Sequence, residues 1–154
     1  MILSKDSQEK INLDIGLSLY DDLVEVKEGE KVVKLKSFYF QKGRSTITPE
    51  IEVELDKVVE VVKYFPNIKL RIETYTDSRG STSANLKVSQ TRSNAIKKYL
   101  KFKEVPQANI LESIGHGEDK ILNDCGNGVY CLEFMHKKNQ RSLIVILNEE
   151  NLFK

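Results

Sequence analysis

The 154-residue chain has no tryptophan, two cysteines and three prolines, and its 24 Lys+Arg almost cancel its 23 Asp+Glu. A formal charge of +1 exerts no broad pull on a phosphate backbone, so the usual cause of non-specific nucleic-acid binding is missing and no nucleic-acid partner is expected. Apolar runs are short, Leu143–Leu147 being typical, and none approaches the roughly 20 residues that cross a bilayer as a helix. A Gly-x-Ser-x-Gly elbow, a His-Glu-x-x-His helix, a P-loop, internal repeats and low-complexity stretches are all absent, which leaves an enzyme without its common signatures. Of the two histidines, His116 lies between glycines in Gly115–Asp119 and reads as an exposed loop residue, while His136 could complete a metal site only together with Cys125 and Cys131. No cofactor and no catalytic residue is expected.

The two cysteines, Cys125 and Cys131, are separated by five residues, a wider gap than the two to four of a zinc knuckle. Gly126 and Gly128 let that gap fold back on itself, which favours a local disulfide over free thiols or a metal site completed by His136. Closing so small a loop stabilises a fold by roughly 2 kcal/mol on the chain-entropy model and points to an oxidising compartment. The first residues, from Met1 to Asp6, lack a basic stretch followed by an apolar one, which leaves either a cytosolic chain or a fragment whose export signal lies upstream of residue 1.

What is present is 40% hydrophobic and 31% charged sequence, enough for one ordinary domain with a short attachment. Residues 1–35 read as a strand-rich N-terminal extension or the end of a preceding domain, and 36–154 as the main domain. In Ile11–Leu19 large apolar residues alternate at period two, a strand pattern, and Val24–Val26 and Val32–Leu35 flank a polar turn as a hairpin. Ser37–Phe40 reads as the first strand of the main domain. Thr48-Pro49-Glu50 is a helix start with a capping hydroxyl, a proline and an acid. Ile51, Leu55, Val58, Val59, Val62 and Phe65 then form one apolar stripe. Ile68–Tyr75 alternates as a strand, Ala84–Lys101 is a second helix, Ile110–Ile114 a third strand, Gly115–Gly128 a long loop, Leu132–Lys138 a short helix and Ser142–Leu147 a last strand. This β-α-β-α-β-β order predicts an α+β two-layer sandwich, with two long helices on one face of a mixed four-stranded sheet.

Polar residues gather where the second strand meets the second helix. Asp77 follows Thr76, with Gly80 three residues on, and Asn85, Ser89 and Arg92 recur at i, i+4 and i+7 along one helical line. Taken alone, that spacing also suits a solvated helix face behind a capping aspartate.

Thr76-Asp77-Ser78-Arg79-Gly80-Ser81, Asn85-Leu86-Lys87-Val88-Ser89-Gln90-Thr91-Arg92 and Asn139-Gln140-Arg141 together resemble the OmpA-like peptidoglycan-binding domain, in order and spacing, over about residues 35–148. Cys125, Cys131, Glu133 and His136 further resemble its Bacteroidetes-type branch. The resemblance implies a periplasmic, outer-membrane-associated anchor that binds the meso-diaminopimelate of a peptidoglycan stem peptide. It puts Asp77 and Arg92 in the roles of ammonium and carboxylate partners, with Asn85, Thr76, Arg79, Gly43 and Gln140 at the ligand and Gly80, Ser89, Asn139 and Arg141 as supports. The chemistry suits such an end, since a carboxylate accepts from an ammonium and a guanidinium presents a planar fork to a carboxylate. Gln140 stands where the family usually has arginine, so one fixed charge is lost. Thr74-Tyr75 replaces a common Gly-His, and Val88 a common Leu. The competing reading is a protein-interaction module of a cell-envelope or secretion complex on the same fold. In either case the extension 1–35 offers a surface to other outer-membrane or periplasmic proteins.

Overall fold

In the computed structural model, which describes residues 4–153, β1 (Val24–Lys27), β2 (Glu30–Val33), β3 (Leu70–Tyr75), β4 (Ile110–Gly117) and β5 (Arg141–Ile146) form one sheet in the order β1-β2-β5-β3-β4. β3 and β4 are parallel, and β5 runs antiparallel to both β3 and β2. Parallel neighbours require a crossover, which α3 (Thr82–Phe102) provides between β3 and β4, while α2 (Pro49–Tyr64) leads into β3. Ile51, Leu55 and Val58 of α2 and Ile96 and Leu100 of α3 join Leu70, Ile72, Ile144 and Ile146 in one core, so both helices cover the same face. The expected α+β sandwich is therefore found, with five strands in place of four.

The whole expected stripe of α2 is buried, Phe65 at its C-terminal cap included. Pro49 opens that helix as expected, but the Thr48 hydroxyl makes no capping hydrogen bond. The Thr48 carbonyl instead accepts from Glu52 N at 2.9 Å. α3 is capped by Ser81, whose Oγ accepts from Ala84 N at 3.1 Å.

Ile11–Leu19 is not a strand but part of α1 (Lys5–Leu23). Ser4 Oγ caps its first turn by accepting from Ser7 N, and Asp6 favours that positive end. The alternation carried no burial, because Ile11, Leu13, Ile15 and Leu17 are 41–62% exposed. Two residues near the C-terminal end hold the helix down. Tyr20 meets Phe65 and Phe153 edge-on at 5.8 and 5.6 Å, and Leu23 packs on the main core. Residues 1–3 of the expected extension, and Lys154, lie outside the described residues.

Ser37–Phe40 is also not a strand. The place beside β5 goes to β2, which sets Val32 opposite Val145. Glu28 (φ 51) and Gly29 (φ 80) close the β1–β2 hairpin with positive φ at both turn positions, which matches strand twist. The expected hairpin is thus present, and it shares the sheet of the main domain. Phe38 and Phe40 pack against the helix-side core instead, 6.3 Å apart edge-to-face.

β4 runs three residues beyond its expected end, so His116 is a half-buried strand residue stacked on Tyr75 at 4.7 Å and not a loop residue. Glycine permits the extension. A Cβ at Gly115 would lie 2.0 Å from the Gln90 backbone N of α3, so helix and strand meet at contact distance. Side chains lock the seam: Gly115 N donates to Gln90 Oε1 at 2.9 Å and Gly117 N to Ser89 Oγ at 2.8 Å.

Candidate functional site

Asp77 follows the last residue of β3 by two positions, where the chain leaves the sheet for α3. Gly80, at φ 87, makes the turn. Both carboxylate oxygens of Asp77 are engaged. Oδ1 accepts from Arg79 N at 2.8 Å and Arg79 Nε at 3.3 Å, and Oδ2 from Arg79 Nη2 at 2.9 Å and Gln140 Nε2 at 2.6 Å. Burial alone would raise its pKa, but these hydrogen bonds from Arg79 and Gln140, with the Arg79 charge, outweigh it and hold the carboxyl below its ordinary value. The side-chain amide of Gln140 is thus used on Asp77 itself.

Arg79 bridges two acids, donating also to Glu133 Oε2 from Nη1 at 2.7 Å. Its hydrogen bonds to Asp77 and Glu133 raise its pKa. Glu133 opens α4 (Glu133–Lys137), which follows the loop closed by the Cys125–Cys131 disulfide. The disulfide favoured by the spacing is therefore formed. Ser78 Oγ donates to the Cys125 carbonyl, tying that loop to the Asp77 turn.

Arg92 is 8% exposed and does not touch Asp77 through a hydrogen bond. Nε donates to Arg44 O at 2.9 Å and Nη2 to Gln41 O at 3.3 Å, and the guanidinium lies 5.1 Å from the Phe40 ring centre. Arg92 thus fixes the 41–44 turn around Gly43 (φ 66). Burial lowers its pKa, and the charge of Asp77 opposes that shift. Nη1 has no hydrogen-bond partner among the described residues.

Asn85 Nδ2 donates to the carbonyls of Asp77 (3.3 Å) and Arg79 (3.0 Å) and to Glu118 Oε1 (3.3 Å), so it sets the shape of the turn. Asp77, Arg92, Asn85, Thr76, Arg79, Gly43, Gly80 and Gln140 all line one cavity of about 680 Å³, within the range of small-molecule sites. The other expected supports lie behind it. Ser89 is fully buried in the α3–β4 seam. Asn139, also fully buried, accepts from Leu122 N at 2.7 Å and donates to Asn123 Oδ1 at 3.0 Å. Arg141 points to the hairpin, where Nε and Nη2 grip Glu28 at 2.8 and 2.7 Å while the guanidinium covers the Tyr75 ring at 4.0 Å.

Several lining residues were not among those expected at the ligand: Tyr39, Phe40, Lys42, Val88, Glu133 and Lys137. Lys42 and Phe40 flank the expected Gly43 and were legible by adjacency. Glu133 meets Arg79 across 54 positions, a pairing no local spacing reveals. His136 lines no part of this cavity, and no group of three or more metal-ligating side chains occurs among the described residues.

A family model described as the OmpA family matches residues 39–129. The chain is 29% identical over 116 residues to a peptidoglycan-associated lipoprotein of Buchnera aphidicola subsp. Baizongia pistaciae, covering 75% of this chain and 64% of that protein. It is 30% identical over 86 residues to outer membrane protein Omp38 of Acinetobacter baumannii, covering 56% of this chain and 24% of that one. The matches thus span less than two thirds of these relatives' lengths. In fold it resembles the crystal structure of the peptidoglycan-associated lipoprotein from Burkholderia pseudomallei, with a TM-score of 0.63 and 24% identity, covering 74% of this chain and 91% of the other. These relatives are lipoproteins and outer-membrane proteins, not enzymes.

Proposed function

Because the chain belongs to the OmpA family, we propose that it is a non-enzymatic peptidoglycan anchor whose Asp77 cavity receives the zwitterionic end of a stem-peptide diaminopimelate. It works in the periplasm and ties an outer-membrane-associated protein to the wall, as the name of the Buchnera relative suggests. One observation carries this reading. Residues from the 41–44 turn, the Asp77 turn, α3 and the Asn139–Arg141 stretch converge on one cavity containing a buried carboxylate and two guanidinium groups.

The chemistry follows from what each group already holds. A ligand ammonium takes the Asp77 oxygens that Arg79 now occupies, and Arg79 keeps Glu133 as its second partner. The ligand carboxylate meets Arg92 through Nη1, whose guanidinium is kept in place by Gln41 and Arg44. Asp77 and Arg92 are each only 8% exposed, so each hydrogen bond to these ionised groups counts for more than it would at the surface.

Calorimetric titration with a diaminopimelate-containing stem peptide, a lysine-containing control and an Asp77→Ala variant tests this. Saturable binding of the first ligand, weaker binding of the control and none by the variant is the expected result. No heat and no rise in melting temperature at millimolar ligand would refute it.

A further inference from the structure

β5 is paired unevenly. On one side its six residues lie in register with β3, whereas on the other a single register pair, Val32 with Val145, joins it to β2. β2 ends at Val33, so Arg141–Leu143 has no strand on that side among the described residues. The chain leaving β2 then passes the same stretch as the irregular Ser37–Tyr39, which makes no backbone hydrogen bond among the described residues. Between the two lies a cavity of about 400 Å³, lined by Ser37–Tyr39 and by Ser142 and Leu143.

Unpaired backbone on both sides of a groove is the setting in which an added strand gains main-chain hydrogen bonds, with side-chain pockets supplying selectivity. Val33, Leu35 and Leu122 give this groove apolar surface, and Lys27, Lys36, Lys137 and Lys138 add four positive charges. Glu28, the one carboxylate lining it among the described residues, is already held by Arg141 at 2.7 Å. The groove is therefore electropositive, and Ser37–Tyr39 and the side of Arg141–Leu143 that faces away from β3 have no backbone partner among the described residues.

We propose that this groove binds an extended acidic segment of a partner protein, which enters as a strand between Ser37–Tyr39 and Arg141–Leu143. Alternate side chains rest on the apolar surface, and the carboxylates meet the lysines. Tyr39, Lys137 and Gln140 line both this groove and the Asp77 cavity, so occupation of one alters the other. The inference does not depend on what the Asp77 cavity binds.

The probe is an acetylated heptapeptide alternating glutamate with valine, titrated into the nitrogen-15-labelled chain, beside a control with lysine for glutamate. Saturating amide shifts at Ser37–Tyr39 and Arg141–Leu143 are expected, together with slowed hydrogen exchange there. The double variant Lys27→Glu, Lys138→Glu, neither residue lining the Asp77 cavity, weakens the peptide about tenfold and leaves stem-peptide affinity unchanged. Absence of saturation at millimolar peptide, equal binding of the lysine control, or shifts centred elsewhere would overturn the inference. Loss of stem-peptide binding with peptide binding intact would count only against the wall-anchor reading.

Discussion

Replacing Gly115 by alanine should unfold this protein more readily than any other single methyl group added to a glycine. The new Cβ would stand 2.0 Å from Gln90 N, 2.3 Å from Ser89 C and 2.4 Å from Gln90 Cα, all backbone atoms of α3. Ordinary contact begins near 3.5 Å, so helix and strand must part by about 1.5 Å. That movement stretches three hydrogen bonds across the seam, Gly115 N to Gln90 Oε1, Gly117 N to Ser89 Oγ and Gln90 Nε2 to Ser113 O. Overpacking costs about 1–3 kcal/mol and each weakened bond about 0.5–1 kcal/mol, for a total near 3–5 kcal/mol. With an m-value of about 2 kcal/mol/M, the urea midpoint falls by about 1.5–2.5 M. Gly126→Ala is the matched control, because nothing lies within 4 Å of its added Cβ, and its midpoint should stay within about 0.3 M of wild type. The same displacement carries Asn85 and Arg92 away from Asp77, so ligand affinity should fall although Gly115 lines no part of the cavity. A Gly115→Ala midpoint indistinguishable from that of Gly126→Ala would refute the claim that contact at this seam sets the helix position.

Asp77 titrates lower in the folded chain than its ordinary value, so its contribution to stability is complete above about pH 4 and lost as pH falls through the folded value. Asp77→Asn should therefore flatten the acid limb of a plot of urea midpoint against pH, and an unchanged limb would count against the Arg79 and Gln140 bonds. Reducing the Cys125–Cys131 disulfide, or replacing both residues by serine, should cost about 2 kcal/mol and lower the melting temperature by about 4–8 °C. Arg92→Lys keeps a charge but cannot reproduce the two directed bonds to Gln41 and Arg44. Hydrogen exchange in residues 41–44 should quicken and stem-peptide affinity drop, whereas unchanged exchange would show that the turn is held by something else.

Where one side chain's burial and one element's period agree, the fold was legible from sequence. The α2 stripe and the β3 alternation were read correctly because each buries the face its pattern marks. Ile11–Leu19 failed for the opposite reason: its alternating residues are exposed, and a serine cap with the distant Phe65 and Phe153 decides the helix. Ser37–Phe40 failed because β2 had already taken the position beside β5, a competition between two apolar segments that neither reveals alone. The extension of β4 through Gly115 depends on its contact with α3, which sequence reports only as a glycine. Around Asp77, the residues close in sequence were read together, whereas the Arg79–Glu133 and Arg141–Glu28 pairs join positions 54 and 113 apart.

If the proposed anchor bears load, the attachment of the N-terminal portion decides where that load is felt first. α1 is fastened mainly by Tyr20 and Leu23, β1 is an edge strand with four register pairs, and β2 meets β5 at one. Tension applied from the N-terminal side opens such an edge one bond at a time, like a zipper, until it reaches the Glu28–Arg141 clasp. By that point residues 4–27 have run out, at up to about 3.5 Å each, or about 80 Å of extended chain. Under such a load the N-terminal portion would lengthen before any pull reached the Asp77 cavity.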